Sequence, residues 1–371
     1  MRDVPERLER LPPQYFATLL RRVAAAGDGV VDLGRGNPES GPPAHVVEAL
    51  QRAAARPDVH GYPPFRGLPA LKEAVAGRYR DVYGVDLDPG SEVAIVPGAK
   101  TALIEFAQVT VERGGTILLP DPGYPDYLSA LALTATREAR LPLDSAGRPE
   151  WGEATGSGEV GAVYLNYPSN PVAAAAPDGV FKEAVAFAQR TGAWVLHDFA
   201  YGDLVFDGRA PQSFLAVEGA REHGVELFSM SKTYGMAGWR LGFVVGSAEL
   251  VRRVELLQDH IFAGVFRPML EAAVAALTGP QESVEERRAA YERRRDRALE
   301  VVPGARSEGT FFVWFELPEG LTVERLLDEH GVALAPGEGF GSRGAGRARL
   351  SLAVTDEQLD RGLERLSAAL S

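Results

Sequence analysis

Ser229-Met230-Ser231-Lys232-Thr233-Tyr234-Gly235-Met236-Ala237-Gly238-Trp239-Arg240-Leu241-Gly242 is the stretch that decides how this chain reads. The chain has only four lysines, Lys72, Lys100, Lys182 and Lys232, and fills its other basic sites with arginine. An arginine cannot form an imine because its guanidinium stays protonated, whereas a lysine amine can be deprotonated and attack a carbonyl. Two hydroxyls precede Lys232 and Gly238-Trp239-Arg240 follows it. These neighbours favour a lysine kept for chemistry over a lysine on a surface turn.

Working outward, 371 residues suffice for a large core and point to two domains, since single cores stop growing near ~250–300 residues. The net charge of -12 argues against a nucleic-acid partner, which would want a basic face. No run of ~18 apolar residues is present, so no membrane span is expected. The start, Met1 to Arg7, lacks the apolar core of a signal peptide, and a cytoplasmic location is expected. Without cysteine there is neither a disulfide framework nor thiolate chemistry. The histidines lie far apart and show no metal-ligand spacing, so no metal is expected.

The middle of the chain alternates short apolar runs with helical patterns. Strands are predicted over 92–96, 116–119, 161–165, 194–197, 226–228 and 241–245, and helices over 100–113 and 179–190. The runs are apolar without alternation, as in strands buried on both faces of a mainly parallel sheet covered by helices. The expected fold class is therefore α/β. After residue 279 the pattern changes to a long charged helix, 281–301, two strands, 310–315 and 347–352, and a terminal helix, 356–370. The expected organisation is an N-terminal segment, 1–40, packing with a small α+β domain, 281–371, and a large domain, 41–280.

The informative polar residues fall where strands end, which is where open α/β sheets bind ligands. Asp198 follows one run, Asn166 and Asn170 another, Gly98-Ala99-Lys100-Thr101 a third, Asp121 and Tyr124 a fourth, and Ser229, Ser231 and Lys232 a fifth. Any one alone reads as a helix cap or a plain turn. Together they match the needs of pyridoxal 5′-phosphate. Lys232 can form its Schiff base. Asp198 can favour a protonated ring nitrogen, which makes the ring an electron sink. Asn170 and Tyr201 can donate to the ring oxygen, and Tyr124 can stack on the ring. The amides of Ala99 and Lys100 after Gly98, with Ser229, Ser231 and Arg240, can hold the phosphate.

At this point the chain resembles the class I/II aminotransferases of the fold-type I pyridoxal-phosphate enzymes, nearly end to end. The resemblance rests on Gly34-Arg35-Gly36-Asn37-Pro38, His60-Gly61-Tyr62, Gly98-Ala99-Lys100, Asp121-Pro122-Gly123-Tyr124-Pro125, Asn166 to Pro171, Asp198-Phe199-Ala200-Tyr201, the lysine segment, Pro336 to Gly341, and Arg347 to Ala353. It implies that Arg349 holds the substrate α-carboxylate. Arg347, two residues away on the same strand, points the same way, and only the resemblance selects between them. It further implies that the backbone of Gly36 touches substrate, that Asn170 does so too, and that Tyr62 reaches the phosphate of a neighbouring subunit in a homodimer. The segment Pro12-Pro13-Gln14-Tyr15-Phe16 is similar to one that folds over the site in some relatives, which makes Tyr15 and Phe16 candidate pocket walls. One departure stands out. The family usually continues Asn-Pro with Thr-Gly, and here Val172-Ala173 follows, so the turn loses glycine freedom and a hydroxyl.

The activity implied is ping-pong transfer of an amino group from an L-amino acid to a 2-oxo acid, with Lys232 as the proton shuttle and Asp198 and Tyr201 assisting. The alternatives are β-elimination, as of a carbon–sulfur bond, on the same fold, and a catalytically silent regulatory module. Gly98-Ala99-Lys100-Thr101 lacks the earlier glycine of a P-loop, and Gly34 to Glu39 lacks the third glycine of a dinucleotide fingerprint.

Overall fold

Apolar runs that lack alternation must be covered on both faces, and the chain does so with one sheet between two helical layers. The computed structural model describes residues 4–12, 15–27, 29–154 and 159–370, with backbone alone for 15–20, 153 and 154. Among the described residues the strands are β1 Val31–Asp32, β2 Val93–Val96, β3 Thr116–Asp121, β4 Arg137–Pro142, β5 Val160–Asn166, β6 Trp194–Phe199, β7 Gly224–Ser229, β8 Gly242–Gly246, β9 Phe312–Glu316, β10 Val332–Ala333, β11 Ala335–Pro336 and β12 Arg347–Ser351.

The large sheet has the order β2-β8-β7-β6-β5-β3-β4. All its pairings are parallel except those of β8, which runs antiparallel to both β2 and β7. Alternate residues of each strand enter different cores. Ile95, Leu118, Val163, Val195 and Phe243 face the helices Pro69–Tyr83, Val180–Thr191 and Arg267–Thr278. Ala94, Ile117, Ala162, Leu196 and Val244 face the helices Ala99–Thr110 and Ala248–Ile261. Each fully buried Val, Leu, Ile or Phe contributes about 1.5–3 kcal/mol.

β4 was not expected from the sequence. Arg137, Glu138 and Arg140 interrupt any apolar run, and these three side chains are exposed on an edge strand that only β3 pairs. Edge strands tolerate charge because one side needs no partner, and charge there discourages pairing with other chains.

A second sheet, β11-β12-β9, is antiparallel and packs against the helices Glu282–Val301, Val323–His330 and Asp356–Leu370. β1 pairs with β10, and the Ser351 N–H donates to the Leu33 carbonyl at 2.7 Å. These contacts fix residues 34–37 beside β12. No described helix is long and apolar enough to cross a membrane.

Candidate active site

The carboxyl ends of β2, β3, β5, β6 and β7 open on one cavity of about 430 Å³. Register explains how distant residues meet there. Gly242 stands opposite both Val96 and Ser229, because β8 enters the sheet beside the exits of β2 and β7. Arg240, two residues before Gly242, is thereby brought to Gly98, two residues after Val96. A Cβ built on Gly98 would lie 2.7 Å from Arg240 Nη2, and Gly98 has φ +90°, so both space and backbone require glycine. Arg240 itself has φ 55°, a left-handed conformation that costs a non-glycine residue roughly 1–2 kcal/mol. The helix Ala99–Thr110 begins here, so its first N–H groups, which have no intrahelical acceptor, border the same corner. Ser229 Oγ caps the short turn Met230–Thr233 by accepting from the Ser231 N–H at 3.2 Å.

Lys232 lies on that turn, half-buried, and donates to the Gly36 carbonyl at 2.9 Å. Burial, with the positive charges of Arg349 and Arg240, pushes its amine down to about 8 against the opposing pull of Asp198. The Asp198 carboxylate lies at the end of β6. Its Oδ2 accepts from the Tyr127 hydroxyl at 2.8 Å and its Oδ1 from the Ala200 N–H at 3.2 Å. Burial nevertheless raises its pKa above the usual carboxylate value. A buried carboxylate of this kind gains from a cation beside it. Asn166, opposite Asp198 in register, donates to the Asp198 carbonyl at 2.8 Å and accepts from the Asn170 N–H at 2.7 Å. Burial also raises the Tyr201 hydroxyl, which stays protonated and able to donate.

Arg349 enters from β12 and is fully buried. Its Nη1 donates to Asn170 Oδ1 at 2.6 Å and its Nη2 to the Gly34 carbonyl at 3.2 Å, while the guanidinium lies 3.8 Å from the centre of the Phe312 ring. Arg347, the first residue of β12, stands opposite Glu316, the last of β9, and pairs with it at 3.5 Å. Arg349 lines the cavity and Arg347 does not.

Of the residues singled out in the sequence, Gly36, Ala99, Lys100, Tyr124, Asn170, Asp198, Tyr201, Ser229, Ser231, Lys232, Arg240 and Arg349 line this one cavity. Gly98 sits behind Arg240. The Lys100 amine is drawn aside to Asp126 at 2.9 Å, and the Tyr124 hydroxyl to the same carboxylate at 2.5 Å. Tyr62 is not in the cavity and is 89% exposed. The side chains of Tyr15 and Phe16 lie outside the described residues. Sequence reasoning missed Tyr127, Arg35, Asn37 and Phe312. Tyr127 opens a helix three residues after Tyr124, and that spacing was the available signal. Ala173 has φ 55°, so the turn after Asn170-Pro171 does use a left-handed residue, and the chain fills it with alanine.

Residues 28–366 match the family model of aminotransferase class I and II. The chain is 43% identical over 378 residues to L-glutamine--4-(methylsulfanyl)-2-oxobutanoate aminotransferase of Bacillus subtilis (strain 168), covering 97% of this chain and 94% of that protein. It is 37% identical over 383 residues to LL-diaminopimelate aminotransferase of Moorella thermoacetica (strain ATCC 39073 / JCM 9320), covering 98% and 97%. The substrate-bound structure of BacF from Bacillus subtilis superposes with a TM-score of 0.93 at 36% identity, covering 100% of this chain and 98% of that one. The chain belongs to the class I and II aminotransferases, fold-type I enzymes whose members use pyridoxal phosphate. It is an aminotransferase, and these relatives favour amino transfer over elimination.

Proposed function

We propose that the cavity binds pyridoxal 5′-phosphate and exchanges amino groups between an L-amino acid and a 2-oxo acid in two half-reactions, in a cytoplasmic homodimer. The observation that carries this reading is Lys232 in the cavity where the strand ends meet, its Nζ 2.9 Å from the Gly36 carbonyl, with Asp198 and Arg349 lining the same cavity. The residues fit the cofactor. Gly98, Ala99, Lys100, Ser229, Ser231 and Arg240 form a corner rich in donors, with the space that a Cβ on Gly98 would fill taken by Arg240. Asp198 is a buried carboxylate in want of a cation. Asn170 and Tyr201 offer donors, and Tyr124 offers a ring face. When bound, pyridoxal phosphate supplies the carbonyl that receives the amino group and a ring that draws electrons from the substrate α-carbon.

This chain's residues do the rest. Arg349, its plane fixed by Asn170 and Phe312, binds the substrate α-carboxylate through paired N–H donors. Gly36, whose carbonyl accepts from Lys232 Nζ at 2.9 Å and which lines the cavity, presents its backbone to substrate. Lys232 Nζ, neutral for a large fraction of the time near pH 8, would take the Cα proton and give it up again to the cofactor's carbonyl carbon, across the amino nitrogen. The same residues serve both half-reactions, so the first product leaves before the second substrate binds.

The homodimer reading rests on an exposed apolar patch. Tyr62, Phe65, Ile261 and Phe266 are 89%, 48%, 58% and 42% exposed, and Gly264 approaches Pro63 and Pro64. A second copy of this chain covers it, with Tyr62 reaching the neighbouring phosphate corner. The same reading divides the chain at 40/41 and 280/281, supported by the separate cores of the two sheets. Tyr15 and Phe16 remain proposed walls of the substrate pocket.

The test is to titrate the purified protein with pyridoxal phosphate, follow the visible spectrum, and add single amino acids without an oxo acid. L-Glutamine comes first, with 4-(methylsulfanyl)-2-oxobutanoate as acceptor, the pair named for the 43% identical relative. A band that changes stoichiometrically with one oxo acid released per site is expected. Continuous release of ammonia without acceptor would mean elimination, and no band at all would overturn the reading.

A further inference from the structure

Asp203 is a buried carboxylate that the reaction above does not use. Its Oδ1 accepts from Arg78 Nη2 at 2.6 Å and from the Tyr83 hydroxyl at 2.8 Å, and its Oδ2 accepts from Thr233 Oγ1 at 2.7 Å. Thr233 directly follows Lys232, and Asp203 stands two residues after Tyr201. Arg78 continues the network. Its Nη1 donates to the Tyr234 hydroxyl at 2.9 Å, and that hydroxyl donates to Gln281 Oε1 at 2.9 Å. The guanidinium also lies within 5.9 Å of the ring centres of Tyr83, Phe228 and Tyr234.

The turn Met230–Thr233 has four helical residues, too few to hold a helical shape unaided. Its geometry must come from tertiary anchors. Ser229 anchors its start. Beyond its end, Gly235 has φ +66° and no room for a Cβ beside the carbonyls of Ser40 and Gly41. Between them, Asp203 takes the hydroxyl next to Lys232. A buried ion pair gains little stability over apolar packing, because desolvation offsets the Coulomb attraction. Three directional bonds on one carboxylate do, however, select a single arrangement of the groups that make them.

We propose that Asp203, held by Arg78 and Tyr83, is a positioning residue that fixes the Lys232 turn against the strand end carrying Tyr201. The inference rests on the functional reading above for its catalytic consequence. Its structural half stands alone: the three bonds to Asp203 keep Lys232 Nζ in register with Gly36 and Tyr201.

Thr233→Val removes the hydroxyl at nearly constant volume, and Thr233→Ser retains it. In the cofactor-free protein, hydrogen exchange of the 230–234 amides is expected to be several-fold faster in Thr233→Val than in wild type, and restored in Thr233→Ser. In the loaded enzyme, Thr233→Val is expected to take up pyridoxal phosphate with the wild-type stoichiometry. Its half-reaction rate should fall ~10-fold, as misplacement of a catalytic group does, with donor KM within about twofold. Thr233→Ser should restore the rate. Should Thr233→Val not fold, Tyr83→Phe removes another donor to the same carboxylate and should move both readouts in the same direction. Unchanged exchange and an unchanged rate in a folded variant overturn the proposal, as does a rate loss that serine does not restore. A wild type showing the exchange pattern but no band and no turnover overturns the functional reading alone.

Discussion

Arg349 Nη1 donates to the side-chain oxygen of Asn170 at 2.6 Å, joining β12 of the smaller sheet to the turn that follows β5 of the larger one. The bond crosses the cavity between the two sheets and sets the guanidinium plane. Arg349→Lys should therefore not behave as a conservative change, since a point charge replaces a planar fork. We expect kcat/KM for any α-amino acid to fall ~10²-fold, mostly through KM. Arg347→Ala, on the same strand face but paired at the strand end with Glu316, should stay within about twofold. Steady-state kinetics of both variants with one donor make the comparison.

Lys232→Ala should lower amino transfer at least ~10²-fold, the usual contribution of a positioned acid–base group. The released 2-oxo acid measures it. A variant with the wild-type rate would falsify the assignment of Lys232.

The pH dependence has a definite sign. The Lys232 amine is pushed below the ordinary lysine value to about 8, so its proton-accepting form grows as pH rises through that value. The Cα proton-transfer rate should rise about tenfold per unit well below pH 8 and level off above it. Single-turnover rates between pH 6 and 9.5 test this. A rate that falls as pH rises through about 8 would contradict it.

Tyr127→Phe leaves Asp198 Oδ2 without its 2.8 Å donor. An orphaned buried acceptor costs roughly 1–3 kcal/mol, to be read from denaturant unfolding. That donor also favours the ionised carboxylate, so its loss should raise the Asp198 pKa further and weaken pyridoxal phosphate binding. Equilibrium titration of the variant should show the weaker affinity.

Ala173 occupies a left-handed position at φ 55°. Its N–H donates to the Ser169 carbonyl at 2.8 Å, and its own carbonyl accepts from the N–H groups of Glu308 and Gly309 at 2.7 and 3.2 Å. Ala173→Gly keeps these backbone bonds and removes a left-handed penalty of roughly 1–2 kcal/mol. It also gives up a methyl buried in the core against the smaller sheet and costs about 0.5–1 kcal/mol of backbone entropy. We therefore expect stability within about 1 kcal/mol of wild type and no change in kcat. Thermal unfolding and steady-state rates check the two halves.

Much of this architecture was legible in the chain. The strands β2, β3, β5, β6, β7 and β8 show as apolar runs because burial on both faces disfavours polar side chains there, and the few that enter are paired, as His197 is with Glu226 at 2.8 Å. β4 did not show, because an edge strand can carry Arg137, Glu138 and Arg140 into solvent. Lys232, Asp198, Tyr124 and Ser229 showed because strand ends are where a parallel sheet presents its polar residues.

The sequence by itself determined the strand runs, the lone lysine between hydroxyls and the carboxylate and amides at strand ends, since these depend on local pattern and residue chemistry. Local pattern left Arg347 and Arg349 equal and the family resemblance selected Arg349; the tertiary structure supplies the physical reason, since the two share a strand face, differ in what lies opposite them, and only Arg349 lines the cavity. The tertiary structure alone placed Arg240 on Gly98 through the antiparallel entry of β8. It also set Tyr127 under Asp198 and Asp203 under Thr233. Pairings between residues tens to hundreds of positions apart are fixed by sheet register and packing, and neither is written in any local stretch of the chain.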